Sequence, residues 1–492
     1  MQAPQNVFLR GLGLVCVAAF LALSATAAPA RPNIIFLFTD DQAADTVAAA
    51  KRWGVDAAQI QTPHMDRLVA DSTSFSHTYN MGSWHEAVCI ASRAMVNTGR
   101  FLWHAKAAHD DEYQQTLEKR DFWSQRLQDA GYDTYMTGKW HVYTRTEKLF
   151  NHLSHVRAGM PETVPSAYHR PVENEEDPWL PWDTRNGGFW QGGKHWSEVL
   201  ADDAEAFIGR AAKGGKPFFM YLAFNAPHDP RQSPREFVGM YPLEKIALPQ
   251  NFLPQNPHYE AMGIGPAGRN GLRDETLAPF PRSEFAVKSH LREYRAIVSH
   301  LDAQIGRILN AVERAGLADH TFIVLTSDNG LSVGRHGLMG KQNLYEHALR
   351  VPFIIRGPGI PRGKSLDTPI YLQDAMPTAL ELAGANTRDI DFRSVLPLIR
   401  GEREHQYPAI YAAYNATAQR AVIDGRHKLI LYPQAKLALL FDLAADPLEM
   451  IDLASRAESQ PLKKRLFARL LELQKETGDP LDLAAHYPDL AP

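Results

Sequence analysis

Five apolar runs, each followed at once by polar residues or a glycine turn, constrain what this chain can fold into. They are rich in β-branched and aromatic residues, and each is the length of a strand. Continuous apolar runs of this length are typical of strands buried on both faces, as in parallel sheets. The runs are PNIIFLFTDDQ, YDTYMTGKWH, PFFMYLAFNAPHDP, TFIVLTSDNG and VPFIIRGPG.

Helix-like segments lie between these runs. They include TPHMDRLVADS, RDFWSQRLQDAG, SEVLADDAEAFIGRAAK, HLREYRAIVSHLDAQIGRILNAVERAG and LQDAMPTALELAG. Alternating strands and helices predict an α/β fold with a large, mostly parallel sheet sandwiched by helices. In such sheets ligands bind beyond the carboxyl ends of the strands. The polar residues that follow the runs would lie there.

The pattern changes after about residue 400. Short strands with turn signals follow, in AIYAAYN, RAVIDGRHKLILY and LALLFDLAADP, and Asp424-Gly425 is typical of a hairpin turn. The helix QPLKKRLFARLLELQKETG comes last. We therefore expect residues 31–400 to form the α/β domain and residues 401–492 to form a smaller C-terminal subdomain of antiparallel sheet plus helix.

Two stretches, residues 151–190 and 242–282, are rich in proline and polar residues. Loops of this length are uncommon unless they are functional. We expect both stretches to be long loops that shape a substrate pocket or decorate the surface.

The first thirty residues have the composition of an export signal. Arg10 is the only charge before GLGLVCVAAFLALSATAAPA, a short apolar run that ends in small residues. This is typical of a secretory signal peptide over residues 1–30, whereas a membrane anchor needs a somewhat longer run. We expect a periplasmic or secreted protein with no stable membrane span after cleavage.

Charge and cysteine content narrow the possible functions. The net charge is only -4 over 492 residues, with no basic stripe of the kind that binds nucleic acid. Cys16 would leave with the signal, so Cys89 would have no disulfide partner. A leftover cysteine in an exported protein indicates reactivity or modification, although many lone cysteines are simply buried apolar residues.

Two predicted strand ends carry candidate metal ligands. Asp40 and Asp41 follow the first apolar run, and Asp328 and Asn329 follow the fourth. Their oxygens are hard ligands that suit calcium or magnesium rather than zinc. Either pair alone is also typical of a turn or a helix cap. Adjacent strand ends would bring the pairs together, where carboxylates without a metal would repel and tend to hold protons.

Cations and histidines near the other strand ends suggest an anion site. Arg93, Lys139 and Lys341 could clamp an anionic group, and Arg93 could bind it as a fork. His141 and His228 could transfer protons near neutral pH. With a metal, this set suits transfer or hydrolysis of a phosphate-like or a sulfate-like group, and it does not choose between them.

The segment around Cys89 favours sulfate. CIASR followed by NTGR resembles the sulfatase signature, in which a cysteine or serine, a variable residue, a proline or alanine, a serine and an arginine precede a Thr-Gly pair. Other blocks resemble that family of the alkaline phosphatase superfamily in the expected order, over about residues 32–456. They are RPNIIFLFTDDQ, TPHMDRLVADSTSFSHTYN, TGKWH, NAPHDP, TSDNG, GLMGKQNLYEHALRVPFIIRGPG and LFDLAADPLEMIDLA.

The resemblance implies that a dedicated maturation enzyme oxidises Cys89 to formylglycine, an aldehyde, which is the nucleophile. It also implies one calcium ion. The ligands of that ion would be the modified Cys89 with Asp40, Asp41, Asp328 and Asn329.

The remaining candidates match the rest of the family's site. Arg93 matches the residue that holds the formylglycine hydrate, and the sulfate-binding and proton-transfer set matches Lys139, His141, His228 and Lys341. In the implied reaction one hydroxyl of the hydrate attacks sulfur, and His228 or Lys341 protonates the departing alcohol. The second hydroxyl then loses its proton, to His141, and sulfate is expelled as the aldehyde re-forms.

The sequence leaves neighbouring roles open. Ala91 stands where many family members have proline, a variant that the signature includes. Trp84, His85 and His104 are candidates for a leaving-group pocket, although packing is an equal alternative for Trp84 and Trp103.

The expected function is hydrolysis of a sulfate ester on a sulfated carbohydrate. Two alternatives from the same scaffold are a phosphonate monoester or phosphodiester hydrolase and a non-catalytic protein that binds sulfated glycans. The phosphatase relatives that hold two zinc ions fit less well, because the candidate metal set here is oxygen-only and two zinc ions would need extra histidines.

Overall fold

The first strand, β1 (Asn33–Thr39), shows why a central sheet forms. Every residue in it is buried, with Ile34 and Phe36 in one apolar cluster and Ile35 and Leu37 in another. Because side chains alternate along a strand, these clusters lie on opposite faces of the sheet. Other elements must therefore pack against both faces of the strand.

A computed structural model describes residues 1, 31–54, 59–162, 164–265 and 272–491. Residues 2–30, which hold nearly all of the predicted signal peptide, lie outside the described residues. None of the helices in the described ranges has the length and apolarity needed to cross a membrane.

The strands and helices follow one another along most of the chain. In chain order the strands are β1 (Asn33–Thr39), β2 (Thr73–Phe75), β3 (Thr78–Tyr79), β4 (Gly82–Ser83), β5 (Asp133–Lys139), β6 (His152–Arg157), β7 (Phe218–Ala223), β8 (Thr321–Ser327), β9 (Arg350–Val351), β10 (Phe353–Arg356), β11 (Lys364–Leu366), β12 (Ile370–Tyr371), β13 (Ile410–Tyr414), β14 (Gln419–Ile423), β15 (His427–Tyr432) and β16 (Leu437–Asp442). The helices are α1 (Pro63–Ala70), α2 (Val88–Thr98), α3 (Leu102–Asp110), α4 (Gln114–Glu118), α5 (Trp123–Asp129), α6 (Trp196–Gly214), α7 (Arg235–Gly239), α8 (Glu284–Arg314), α9 (Glu346–Leu349), α10 (Ala375–Ala383), α11 (Leu396–Arg400), α12 (Gln460–Thr477) and α13 (Leu483–His486).

The largest sheet in the described ranges has the strand order β11-β2-β10-β8-β1-β7-β5-β6. Strands β6, β5, β7, β1 and β8 are parallel to one another, and β10 runs antiparallel to β8 and β2. Helices α1, α6 and α8 cover one face, and α2, α5 and α10 cover the other. The prediction of a mostly parallel sheet sandwiched by helices is confirmed.

The centre of this sheet aligns two of the strand ends that the sequence singled out. In the pairing of β1 with β8, Thr39 lies opposite Ser327. The residues that follow, beginning with Asp40 and Asp328, therefore leave the sheet side by side at the same edge. Chain connections also diverge at this point, since β1 lies between β7 and β8, and such crevices commonly bind ligands.

The C-terminal region forms the predicted antiparallel sheet and helix. Strands β13 to β16 are antiparallel, and the turn at Asp424-Gly425 joins β14 to β15. Helix α12 packs on this sheet. Strand β4 also joins it, parallel to β13, which anchors the chain just before Cys89. Since residues from Pro32 onward group as one compact unit, the boundary at residue 400 stays a prediction.

The prediction that residues 151–190 form a loop is wrong for their first part, because His152–Arg157 is strand β6. This strand lies at the sheet edge and is only partly buried. Edge strands do not need a continuous apolar run, so the sequence pattern that marked the central strands is missing here.

Gly138 in β5 is required by the close approach of β7. Its φ is +91°, and a Cβ there would lie 1.9 Å from the carbonyl oxygen of Ala223. Gly138→Ala should lower the free energy of unfolding by about 2–4 kcal/mol through backbone strain and overpacking, and it should displace the neighbouring Lys139.

The measurement is thermal unfolding beside a matched control, Gly209→Ala. Gly209 lies in α6, where a Cβ would meet nothing within 4 Å. Alanine there should stabilise the helix by about 0.5–1 kcal/mol. Equal melting temperatures for the two variants would contradict the account of β5.

Candidate active site

The carboxyl ends of β1 and β8 bring the predicted metal ligands together. Asp40, Asp41, Asp328 and Asn329 are all at most 1% exposed. The backbone N–H of Asp41 donates to Oδ1 of Asp328 over 3.1 Å, and Nδ2 of Asn329 donates to Oδ1 of Asp41 over 2.6 Å. The two pairs of residues therefore form one buried polar cluster, which excludes the simpler reading of two separate turns.

Cys89 enters this cluster from the first turn of α2. Its Sγ lies 3.2 Å from Oδ1 of Asp40 and 3.7 Å from Oδ1 of Asn329, and Nζ of Lys341 approaches it to 3.4 Å. Burial raises the pKa of the Cys89 thiol well above its ordinary value, and the charges of Asp328 and Asp40 raise it further. A protonated thiol is a weak nucleophile.

Arg93 lies one helical turn after Cys89, on the same side of α2. Its Nε donates to Oδ2 of Asp328 over 3.0 Å, and its Nη1 donates to the carbonyl of Lys139 over 2.8 Å. Its Nη2 lies 4.0 Å from Oδ1 of Asp40 and has no hydrogen-bond partner among the described residues. Two nitrogens of the Arg93 guanidinium are thus held by hydrogen bonds, and the third, Nη2, remains a buried donor.

Two lysines bind the first acidic pair. Nζ of Lys139 donates to Oδ2 of Asp40 over 2.5 Å. Nζ of Lys341 donates to both carboxylate oxygens of Asp41, over 2.6 and 2.7 Å. Both lysines are at least 96% buried. These contacts explain how three carboxylates coexist in a buried site.

The buried charges of the cluster cancel. The acids are Asp40, Asp41 and Asp328, and the cations are Arg93, Lys139 and Lys341. A divalent metal would therefore leave these six groups with a net positive charge. A positive cleft attracts an anionic substrate.

The two predicted histidines lie beside this cluster and differ in their hydrogen bonds. Nε2 of His228 is 3.6 Å from Oδ2 of Asp41, and its Nδ1 donates to the carbonyl of Asp229 over 2.8 Å. Nδ1 of His141 has no hydrogen-bond partner among the described residues. Burial lowers the pKa of His141 to about 2, with the charges of Lys139 and Arg93 acting in the same direction. His141 is therefore neutral near pH 7, and a ring with so low a pKa is a weak base.

The donor atoms fit a hard divalent cation. One ligand atom each from Asp40, Asp41, Cys89 and His228 lies within 4.8 Å of the others, and all four residues are buried. Oδ1 of Asp328 adjoins them by accepting from the backbone N–H of Asp41, and Oδ1 of Asn329 lies 3.7 Å from Sγ of Cys89. Oxygen-rich clusters of this kind suit calcium or magnesium.

Three residues that the sequence did not single out belong to the surroundings of the site. Asp229 and Asp274 are buried carboxylates that share the guanidinium of Arg273. Burial would raise the pKa of Asp229, but the positive charge of Arg273, followed by that of His228, holds it below its ordinary value. Asp229 follows His228 directly and could have been found from that position. Arg273 and Asp274 lie in the second predicted loop, and no motif marks them.

The tryptophans and histidines near Cys89 in the sequence lie in the core or at the surface. Trp103 is in the core, with its Nε1 donating to Tyr411 over 2.9 Å. His104 pairs with Asp391 over 2.8 Å, beyond the end of α2 opposite to Cys89, so it lies away from the buried polar cluster. Trp84 is buried in the same core. His85 is exposed and stays a candidate for the pocket rim.

Comparisons with known proteins agree with this geometry. The sequence profile of the sulfatase family matches residues 32–385, and the profile of the C-terminal region of N-sulphoglucosamine sulphohydrolase matches residues 334–476. An N-acetylglucosamine-6-O-sulfatase from Bacteroides thetaiotaomicron is 29% identical, over 91% of this chain and 87% of that protein.

Two solved structures share the fold. One, in complex with its substrate D-glucosamine-2-N,6-O-disulfate, has a TM-score of 0.69 and 25% identity, and the match covers 92% of this chain and 99% of that one. A phosphonate monoester hydrolase from Silicibacter pomeroyi has a TM-score of 0.70 and 20% identity, over 91% and 96% of the two chains; this likeness concerns the fold alone. Because the sulfatase profile covers well over half of the sequence and the named relative aligns over most of its length, the chain belongs to the sulfatase family and is a sulfuric ester hydrolase.

Proposed function

We propose that this chain is an exported, calcium-dependent sulfatase that removes sulfate from a sulfated carbohydrate, with formylglycine made from Cys89 as its nucleophile. The observation that carries the proposal is the position of Cys89, whose Sγ lies 3.2 Å from Asp40 and 3.4 Å from Lys341. It thus contacts both the acidic cluster and a cation that can bind sulfate. An intact nucleophile, metal set and cation set argue against a non-catalytic glycan-binding protein.

The ligand chemistry supports oxidation at position 89. A thiol is a soft ligand among carboxylate and amide oxygens, whereas an oxygen there would match the rest of the cluster. Formylglycine, once hydrated, supplies two hydroxyls on one carbon, one to attack sulfur and one to release sulfate. Calcium, held by Asp40, Asp41, Asp328, Asn329 and residue 89, would supply positive charge beside the attacking oxygen.

The cations of the chain bind and orient the sulfate group. Arg93 keeps one buried N–H donor without a partner among the described residues. Lys341 contacts position 89 and Asp41 at once, so its charge lies beside the reacting atom. Fixed positive groups in a site without water stabilise the charge that develops on sulfate oxygens.

We assign proton transfer to His228, His141 and Lys341. Because a carbonyl oxygen only accepts, the hydrogen bond from Nδ1 of His228 to Asp229 fixes the tautomer and leaves Nε2 for proton exchange. We assign protonation of the departing alcohol to His228 or Lys341. We assign the proton that accompanies sulfate release to His141, whose Nδ1 has no hydrogen-bond partner among the described residues.

A sequence match and a structure match support a carbohydrate substrate. The sequence relative is named an N-acetylglucosamine-6-O-sulfatase, and the matched structure was solved with a disulfated glucosamine. Export is supported by the composition of residues 1–30 and would place the enzyme where external sulfated glycans occur.

The test is a substrate screen on enzyme co-produced with a formylglycine-generating enzyme. Wild-type protein is assayed on defined sulfated sugars, 4-nitrophenyl sulfate, a phosphonate monoester and a phosphodiester. We expect at least one sugar sulfate to exceed both phosphorus substrates in kcat/KM by about 100-fold or more, which corresponds to nearly 3 kcal/mol of transition-state binding. Faster turnover of a phosphorus ester would favour the alternative hydrolase.

Removal of calcium should abolish activity and lower the melting temperature. A metal that binds only the folded state at 100 times its Kd stabilises that state by about 2.7 kcal/mol. The measurement is sulfate release and thermal unfolding after exhaustive chelation, with metal content checked by elemental analysis. Restored calcium should recover both properties. Full activity in verifiably calcium-free protein would contradict the proposed metal.

A further inference from the structure

Beyond the matched site residues, a closed ring of alternating acidic and basic side chains begins and ends at Asp41. On one side Nζ of Lys341 lies 2.6 Å from Asp41 and 3.9 Å from Oδ2 of Asp274. On the other side His228 lies 3.6 Å from Asp41 through Nε2 and 3.2 Å from Oδ1 of Asp229 through Nδ1. In order, the members of this charge ring are Asp41, Lys341, Asp274, Arg273, Asp229 and His228.

Arg273 closes the ring. Its Nη1 donates to Oδ2 of Asp229 over 2.5 Å, and its Nη2 donates to Oδ1 of Asp274. The hydroxyl of Tyr168 donates to Asp229 over 2.9 Å and accepts from Nη1 of Arg273 over 2.9 Å. Both carboxylates are 4% exposed, whereas the side chain of Arg273 is 34% exposed. A single guanidinium thus ties together two buried acids.

The two acids lead to the two proposed proton donors. Asp229 contacts His228, and Asp274 lies near Lys341 and accepts from Gln342, the next residue, over 2.9 Å. His228 and Lys341 follow different strands of the sheet, so neither strand fixes one relative to the other. A planar fork can hold two carboxylates at a set spacing, which a lysine cannot.

We infer that Arg273 is a positioning residue for sulfate-ester hydrolysis, holding His228 through Asp229 and Lys341 through Asp274. This inference rests on the proposed function, in which one of these two groups protonates the departing alcohol. Arg273 acts through its partners and does not itself touch the reacting atoms.

The effect of losing Arg273 should depend on the leaving group of the substrate. General-acid help is needed most when the departing alcohol is a poor leaving group, as in a sugar sulfate, and least when it is an activated phenol. Loss of Arg273 should therefore slow a sugar sulfate more than 4-nitrophenyl sulfate. A purely structural role would slow both equally.

The experiment compares Arg273→Gln and Arg273→Lys with wild type on 4-nitrophenyl sulfate and on the sugar sulfate that the screen finds fastest. For Arg273→Gln we expect kcat on the sugar sulfate to fall about 100-fold, within the range of general-acid effects, and kcat on the aryl sulfate to fall less than about tenfold. KM should change little on either substrate. Arg273→Lys should recover part of the loss.

Equal falls in kcat on both substrates would overturn the inference. A matched control is Arg420→Gln in β14, which removes a second arginine fork that binds a carboxylate, 2.7 and 2.9 Å from Asp479. It should lower the melting temperature and leave the ratio of the two kcat values unchanged. If the control alters that ratio, the inference also fails.

A milder variant decides the matter if Arg273→Gln does not fold. Tyr168→Phe removes one hydroxyl from Asp229 and Arg273 without changing charge, and it should slow the sugar sulfate about threefold more than the aryl sulfate. An unchanged ratio there would reject the inference. Failure of the proposed function is separate, because wild type would then release sulfate from neither substrate.

Discussion

Cys89→Ala is expected to reduce kcat by about 10⁵-fold or more, the scale seen when an enzyme loses its nucleophile. The side chain at position 89 lies between Asp40 and Lys341, and alanine leaves nothing there to attack sulfur. The loss should leave the fold intact. The neighbouring carboxylates and cations keep their mutual contacts, so the free energy of unfolding should fall by only about 1 kcal/mol.

Activity and unfolding measured on the same preparation separate these effects. The matched control is wild-type protein produced without the formylglycine-generating enzyme, which keeps the thiol and should be as inactive as Cys89→Ala. Residual kcat above about a hundredth of wild type in Cys89→Ala, well short of the loss expected of a nucleophile, would show that another group attacks.

Arg93→Ala should damage both stability and catalysis. It removes a wholly buried guanidinium from Asp328 and from the carbonyl of Lys139. Leaving a buried carboxylate without its partner costs about 3–5 kcal/mol. The variant also loses the buried donor that we assign to sulfate binding, so we expect kcat to fall by about 10³-fold or more, as when a donor to the transition state is removed.

Arg93→Lys is the informative comparison for this position. Lysine keeps the charge but cannot hold Asp328 and the Lys139 carbonyl together. We expect stability close to wild type and a kcat between those of wild type and Arg93→Ala. Chemical denaturation with parallel turnover assays measures both quantities. An Arg93→Ala protein with wild-type stability and turnover would refute the assignment.

The central part of the site could be predicted because it depends on sheet topology. Asp40 and Asp328 follow long apolar runs, such runs become adjacent parallel strands, and parallel strands end at the same edge. Position 89 could be predicted from its signature. The contacts of Arg93 with Asp328 and the Lys139 carbonyl could not, since they depend on how α2 docks on the sheet.

The charge ring could not be predicted from the sequence. Arg273 and Asp274 lie in the stretch 242–282, which has no apolar period and no motif. Their contacts with Asp229 and Lys341 depend on how this loop folds against the edge of the sheet. Nothing in the local sequence specifies that loop conformation. Strand β6 was missed for a related reason, because its exposure at the sheet edge removes the apolar run that marked the buried strands.

The central claim is that position 89 works only after its sulfur has been replaced by an aldehyde. Peptide mass spectrometry of purified enzyme, with preparations made at graded levels of the maturation enzyme, tests this directly. The account predicts that the peptide with residue 89 loses one sulfur and two hydrogens and gains one oxygen relative to the cysteine form, so that its mass falls. Specific activity should be proportional to the fraction of protein that carries this change. Full activity in protein whose residue 89 is an unmodified thiol would contradict it.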